Sequence, residues 1–501
     1  MTVAALRVTG DVVVDEDGIR GPIATQIDQQ AKKIVKQMKD GPQGLWCFEE
    51  GSIRQLLKDE IANILLPTLV LREHVRRRAD TKARFESDNY IEGFLNRRVE
   101  ILHRFLDRAS NSISQFATSR GFKPSTLKIT SLAGDSHNGA QRPLRFNSGE
   151  QRDYVLKYSD PRPYQLFAVL IDFLSSKTNY RMAYPRITAS QDNTSYIIPY
   201  IEPRERRAAA WDSIAVTAYN YGVVCALCYV LKAIDVHLEN VLVSGEIPIV
   251  IDPECVLYDF PEMPQRSRLQ STGIVCWDPN QSALRSGNNP MVHFGKSIRD
   301  TGILTLLSPV GPASNRVLAP DGRSIDMKEY RDEVATGFVD GYRAVLANRA
   351  QVFDMVQSFS QQDFKIRYLC RKTRHYRVVQ ELLNMPAARH AAETRDYILR
   401  KFEQSSGFPR RISRKIISAE RRDLMNGDIP YFWCTSLDCS IRNGDEVVRR
   451  GSAISAEVRT ERVLRNLSEA DVEKQIAILK DFLVQDDAPT GSRLEAVETY
   501  H

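Results

Sequence analysis

The 501-residue chain has no pair of Cys-x-x-Cys motifs at zinc-ribbon spacing, so its 8 cysteines, at positions 47, 225, 228, 255, 276, 370, 434 and 439, offer no structural zinc site. Their scatter suggests reduced thiols and a cytoplasmic protein. Cys225-x-x-Cys228 falls in an apolar helical stretch, where two thiols three apart are expected to be small core residues rather than a redox pair. The N-terminus, Met-Thr-Val-Ala-Ala-Leu-Arg, lacks a basic-then-apolar export signal. The most apolar stretch, Tyr219 to Ile234, is read as too short to span a bilayer and contains Lys232, so no membrane partner is expected. Charge of one sign is also scarce. An excess of 69 basic over 63 acidic residues gives +6, weak for a nucleic-acid binder unless concentrated on one face, and no nucleic-acid partner is expected. The basic runs Arg76-Arg77-Arg78 and Arg410-Arg411 through Arg414-Lys415 read as solvated helix faces, although either could meet an acidic peptide or nucleotide phosphates. There is no internal repeat.

What is present is a substantial apolar fraction, 42%, and a length that favours two or three packed units. From about Ile53 to Ser119 apolar residues recur at helical spacing (Leu56, Leu57, Ile61, then Ile91, Phe94, Leu95, Leu102, Phe105). Between Thr126 and Glu202 the period shortens. Leu127-Lys-Ile, Pro143-Leu-Arg-Phe, Tyr154-Val-Leu-Lys157 and Ser195 to Ile201 are predicted strands, with one helix near Tyr164 to Leu174. A long helix, roughly Arg207 to Ala233, precedes two short β-like runs separated by Gly245-Glu246. Residues 260–295 are rich in Pro, Ser, Asn and Gly, as in a long functional or disordered loop. Helical patterns dominate from there to about Met425, followed by a hairpin signal at Asn443-Gly444 and a last amphipathic helix from about Glu469 to Leu483.

The informative chemistry lies in Ala233-Ile-Asp235-Val-His237-Leu-Glu-Asn240 and the later Ile-Val-Ile-Asp252-Pro-Glu254. Phosphoryl transfer needs positioning and charge neutralisation more than covalent work from the protein. An Asp opening a loop can accept the hydroxyl proton, an Asn five residues on can hold a metal, and an Asp after the next strand can hold metal against phosphates; Asp235, Asn240 and Asp252 fit those roles. Lys157 ends a strand just before a helix, where a phosphate-pairing lysine is useful. Strand lysines alone mostly face solvent, and the order of the later residues is what gives this one weight. His237 is equally well a structural brace of the loop.

The order of Lys157, a hinge-like Tyr-Ile-Ile-Pro-Tyr-Ile-Glu202, a long helix, Asp-x-His-x-x-Asn and Asp252 resembles the catalytic core of phosphoinositide lipid kinases. A narrower resemblance rests on Ser131-Leu132-Ala133-Gly134-Asp135-Ser136-His137-Asn138-Gly139, Asp-Val-His-Leu-Glu-Asn at 235–240, Ile-Asp-Pro-Glu at 251–254, Arg367-Tyr-Leu-Cys-Arg371-Lys-Thr373-Arg-His-Tyr376 and Gly427-Asp-Ile-Pro-Tyr-Phe432. In sequence, over about 300 residues, these are similar to the dehydratase portion of class II (LanM-type) lanthipeptide synthetases. The resemblance implies an α+β, lipid-kinase-like bilobal core, with a small β-rich N-lobe at 121–205 and a larger helical C-lobe at 206–330 carrying catalytic and activation-type loops. Added helical segments would lie at 1–120 and 331–501. It implies an ATP- and Mg2+-dependent enzyme that phosphorylates Ser or Thr of a precursor peptide, recognised through a leader, and then eliminates phosphate to leave dehydroalanine or dehydrobutyrine. Lys157, Asn240, Asp252, Glu254 and Glu202 would hold the nucleotide, with Asn240 and Asp252 on the metal. Asp235, His237, Asp135, His137, Arg367 and Thr373 would form the catalytic set, the last two serving elimination. Family members continue into a zinc-dependent cyclase, whereas this chain ends at His501, so a stand-alone dehydratase with a separate cyclase or other modifying enzyme as partner is expected. Two alternatives stay open: a kinase that stops at phosphorylation of a peptide or small molecule, and an inactive module that presents a peptide to other enzymes. Without their motif, Arg367 and Thr373 would read as a solvated helix face.

Overall fold

The computed structural model describes residues 9–484 except 12, 16–17, 21, 40–46, 62–63, 66–83, 87–88, 122–126, 133–134, 148–151, 181–183, 202–209, 259–267, 276–283, 285–291, 294–296, 299–303, 306–307, 310–316, 386, 389–390, 405–412 and 452–453. Glu202, Arg76–Arg78 and most of 260–295 therefore lie outside the described residues. The fold is mixed α+β, rich in helix, with several small sheets.

Helices α1 (Pro22–Lys39) and α2 (Asn89–Ser119), with a helical stretch at 50–61, precede an antiparallel sheet. Its strands are β1 (Lys128–Ser131), β2 (Leu144–Asn147), β3 (Asp153–Lys157), β4 (Thr188–Ala189) and β5 (Tyr196–Pro199), in the order β1-β2-β3-β5-β4, with α3 (Arg162–Lys177) between β3 and β4. Period-two alternation gives the sheet two apolar faces. Leu144, Phe146, Leu156 and Ile197 bury against Leu102, Phe105 and Ala109 of α2. Val155, Tyr196 and Ile198 join the other core with Leu166 and Phe167 of α3. Lys157, two residues after Val155 and paired with Tyr196, is carried on this second face.

The centre of the second core is α4 (Trp211–Val230) packed against α5 (Arg331–Ala347). Their backbones come unusually close: a Cβ at Gly222 would stand 2.0 Å from the Val334 carbonyl oxygen, and one at Gly337 would stand 1.9 Å from that of Tyr219. At 20 residues, α4 is long and apolar enough to cross a membrane, so the length argument from its sequence fails. Most of it is buried inside the protein, and packing against α5 and neighbouring elements accounts for the apolar surface. Cys225 and Cys228 are buried there, as expected.

After α4 the chain makes the predicted hairpin of β6 (Val241–Ser244) and β7 (Ile247–Val250), turning at Gly245 with φ +68°. Past α6 (Arg349–Ser360) lies a four-stranded antiparallel sheet of β8 (Lys365–Tyr368), β9 (Phe432–Thr435), β10 (Ile441–Asn443) and β11 (Glu446–Arg449); β10 and β11 are the hairpin expected at Asn443-Gly444, whereas β8 falls where the periodicity predicted helix. Helices α7 (Thr373–Leu383), α8 (Ala392–Gln404) and α9 (Arg414–Met425) interrupt it, and α10 (Ala456–Arg465) and α11 (Glu469–Val484) close the described chain. A four-residue strand such as Lys-Ile-Arg-Tyr is too short to carry a period of its own, which is why β8 was hidden in the sequence.

Candidate active site

The register of the hairpin builds one half of the site. Val241 pairs with Val250, so Asn240 leaves one end of the ladder beside Ile251, whose N–H donates to the Asn240 carbonyl at 2.9 Å. Asp235–Asn240 and Asp252–Glu254 are thereby held at the same end of the hairpin. Asn240 Nδ2 donates to the Asp235 carbonyl at 2.7 Å and fixes Asp235 at φ +64°, a left-handed conformation that Asp tolerates better than most residues. Val236 N–H donates to the Thr272 carbonyl at 2.9 Å. Gly273 makes this approach possible, since a Cβ there would lie 2.8 Å from Val236 N. His237 accepts the Glu239 N–H at Nδ1 (3.2 Å) and sets Nε2 3.6 Å from Asp235 Oδ1. It braces the loop as a helix cap and also touches the expected base.

Lys157 reaches across from β3. Its Nζ donates to the Ile251 carbonyl at 2.7 Å and forms an ion pair with Asp252 Oδ1 at 3.2 Å. Burial opposes ionisation of Asp252, but Lys157 and Arg367 outweigh it and lower its pKa. Burial raises that of Asp235, with His237 pulling the other way. Burial and the neighbouring Asp252 push Glu254 up to about 7. The donor set fits a magnesium ion: a carboxylate on Asp252 and an amide oxygen on Asn240 are hard ligands of the kind that Mg2+ combines with phosphate oxygens. Among the described residues no three or more His, Cys, Asp or Glu side chains form a closed metal cage.

The other half comes from the second sheet and the 131–142 segment. Arg367 lies on strand β8, not on a helix face, opposite Trp433 in β9. Its backbone N–H donates to the Glu254 carbonyl at 3.0 Å, tying β8 to the Asp252–Glu254 loop. Its guanidinium lies 3.9 Å from Glu254 Oε2 and 3.4 Å from His137 Nε2. His137 Nδ1 is 2.8 Å from the Ile429 carbonyl and so carries the proton, which leaves Nε2 as a lone pair facing Arg367. Burial and then Arg367 lower its pKa to about 4, so the ring is neutral at physiological pH. Asp135 accepts from Arg377 Nε at 2.6 Å. Thr373 opens α7 one turn before Arg377 and shares its face, but no direct contact joins Thr373 to Arg367 among the described residues.

The Asp135–Gly139 motif and the Gly427–Phe432 motif turn out to be one unit. Asn138, Gly139 and Ala140 all have left-handed φ (44°, 81° and 62°), and the Gly139 and Ala140 N–H groups point at Asp428, at 2.7 and 3.3 Å. Ser136 Oγ also donates to Asp428, at 2.6 Å. These amides hold a carboxylate of the protein itself and are not open to a phosphate. Buried Arg98 completes the clamp through Asp428 (2.7 Å) and Glu60 (2.5 Å), and Arg142 donates to Glu60 at 2.9 Å.

Lys157, Asp235, His237, Asn240, Asp252, Glu254, Arg367 and His137 are thus brought together, with Asp135 near enough to act electrostatically on His137 and Asp235. Sequence reasoning missed Arg377, Arg98 and Tyr431. Tyr431 lay in plain view inside a quoted motif, and Arg377 four residues beyond Thr373. Arg98 gave no signal, because its partners come from three distant segments.

A family profile described as a domain of unknown function, DUF4135, matches residues 88–309 and 305–435, which takes in each described residue of the site. The chain belongs to that family. It is also similar to the lacticin 481/lactococcin biosynthesis protein LcnDR2 of Lactococcus lactis subsp. lactis, with 22% identity over 357 residues. That alignment covers 64% of this chain and only 37% of the relative's length.

Proposed function

We propose that this chain is a LanM-like dehydratase of lanthipeptide-type biosynthesis, acting in the cytoplasm on Ser and Thr of a ribosomal precursor peptide with ATP as phosphoryl donor. The five-stranded sheet with Lys157, followed by α4 and the β6-β7 hairpin, is read as the two lobes of a lipid-kinase-like core. The observation that carries the proposal is the convergence of Lys157 and Arg367, from different sheets, on the Asp252–Glu254 loop. The similarity to a lacticin 481 biosynthesis protein supports the substrate class.

Asn240 and Asp252 would hold Mg2+, which supplies neutralisation of the phosphate charge. The Lys157 ammonium adds a second positive charge beside Asp252. Asp235, its basicity raised by burial, accepts the substrate hydroxyl proton at a carboxylate oxygen. Hydroxide leaves poorly and phosphate leaves well once its charge is held, so phosphorylation prepares the second step. There the α-carbon gives up its proton, the electron pair forms the C=C bond, and the C–O bond to phosphate breaks. Arg367 binds the departing phosphate oxygens, and neutral His137 offers Nε2 as a proton acceptor beside it. Purified protein with ATP, Mg2+ and a candidate precursor peptide, followed by mass spectrometry, tests this. Loss of water supports the proposal, retained phosphate reduces it to a kinase, and no ATP-dependent change in any candidate peptide removes it.

A further inference from the structure

Arg367, largely but not fully buried, has weaker polar contacts than its neighbour Arg371. The buried Arg371, on the same chain segment, also lies over a ring, 4.3 Å from the Phe402 centroid, but it has close polar partners as well, donating from Nε to Glu420 at 2.9 Å and from Nη1 to the Phe402 carbonyl at 3.1 Å. Arg367 has no comparable polar contact among the described residues: its guanidinium meets Glu254 only at 3.9 Å and His137 at 3.4 Å. What holds it is a ring face. The carbon of the guanidinium lies 5.4 Å from the centroid of Tyr431, within cation–π range.

Tyr431 is fixed in turn by two of the same neighbours. Its hydroxyl donates to Glu254 Oε2 at 3.2 Å, and its ring meets His137 edge to face at 5.5 Å. It enters β9 directly after the Asp428 clamp, so the segment that locks the 135–140 turn also delivers this ring.

A guanidinium has five N–H donors in one plane. Carboxylates that pair with it occupy those donors, whereas an aromatic face holds the cation from above and leaves its edge available. We propose that Tyr431 is a positioning residue that stacks beneath Arg367, keeping its N–H edge free to bind the oxygens of a phosphate monoester. The inference rests on the dehydratase reading and adds how the arginine is kept available for phosphate.

The test uses inorganic phosphate as the probe and the full chain, with Mg2+·ADP binding measured in parallel because ADP lacks the transferred phosphoryl group. Tyr431→Leu is expected to weaken phosphate binding about tenfold with ADP affinity unchanged, whereas Tyr431→Phe, which keeps the ring and loses only the hydroxyl, stays within about threefold of the wild type. Arg367→Ala is expected to abolish phosphate binding. Wild-type phosphate affinity in the leucine variant overturns the proposal. Should the leucine variant lose ADP binding as well, the phenylalanine variant decides: retained phosphate affinity supports ring stacking, and a loss of about tenfold overturns it, because the hydroxyl bond to Glu254 would then be what matters. Failure of the wild type to bind phosphate also overturns it, while the ATP-dependent mass change of a peptide reports on the dehydratase reading separately.

Discussion

Lys157 Nζ lies 3.2 Å from Asp252 Oδ1 and donates to the carbonyl of the preceding residue at 2.7 Å, so one cation from the first sheet addresses the chain where the acidic loop begins. Asp235 and Glu254 crowd the same region, and both have carboxyls raised by burial. Lys157→Met is expected to cut ATP-dependent peptide modification by about 100-fold or more, since it removes a charge placed for the phosphates. Rates of mass change under saturating ATP check this; wild-type turnover in the variant would remove Lys157 from the machinery.

Arg367→Ala should separate the two half-reactions, with phosphopeptide accumulating and dehydrated product absent. Arg367→Lys is not expected to rescue, because an ammonium cannot present the planar fork. Intact peptide masses over a time course distinguish the outcomes, and unchanged dehydration by the alanine variant contradicts the assignment.

Two groups give stability opposite dependences on pH. Glu254 has its folded pKa raised from an ordinary 4.5 to about 7, so its contribution is full below 4.5 and is lost as pH rises through 7. His137 has its folded pKa lowered from 6.5 to about 4, so its contribution is full above 6.5 and is lost as pH falls through 4. Glu254→Gln is therefore expected to lose less stability than the wild type between pH 4.5 and 7, and His137→Asn to lose less between pH 6.5 and 4. Melting temperatures across that range read both slopes, and parallel curves for variants and wild type would contradict the prediction.

Arg98→Met leaves Glu60 and Asp428 buried without their shared cation, and should destabilise the fold by about 3–5 kcal/mol. Urea unfolding measures it. Because Asp428 holds the turn that carries His137, elimination should fall along with stability.

Gly337→Ala forces a methyl to within 1.9 Å of the Tyr219 carbonyl oxygen at the crossing of α4 and α5. Backbone cannot move aside as a flexible side chain can, so a loss of about 1–3 kcal/mol or more is expected in the same unfolding experiment. Gly245→Ala, at a turn with open space around it, should pay only for its left-handed φ of +68° and serves as the control.

Local pattern was enough to find the strands around Lys157, the helix after them, the hairpin between Asn240 and Ile251, and the final helix, because each repeats its apolar period over enough residues to be read. The same sequence also placed Asp235, Asn240 and Asp252 near one another, since a hairpin of fixed register joins them. It did not disclose that Arg367 rides on a strand, that Asp428 fills the amides of the 138–140 turn, or that Arg98 and Tyr431 belong to the site. Those relationships connect segments up to 330 positions apart. Periodicity reports which face of an element is buried; it carries no information on which distant charge will share that burial, and only the packed chain decides it.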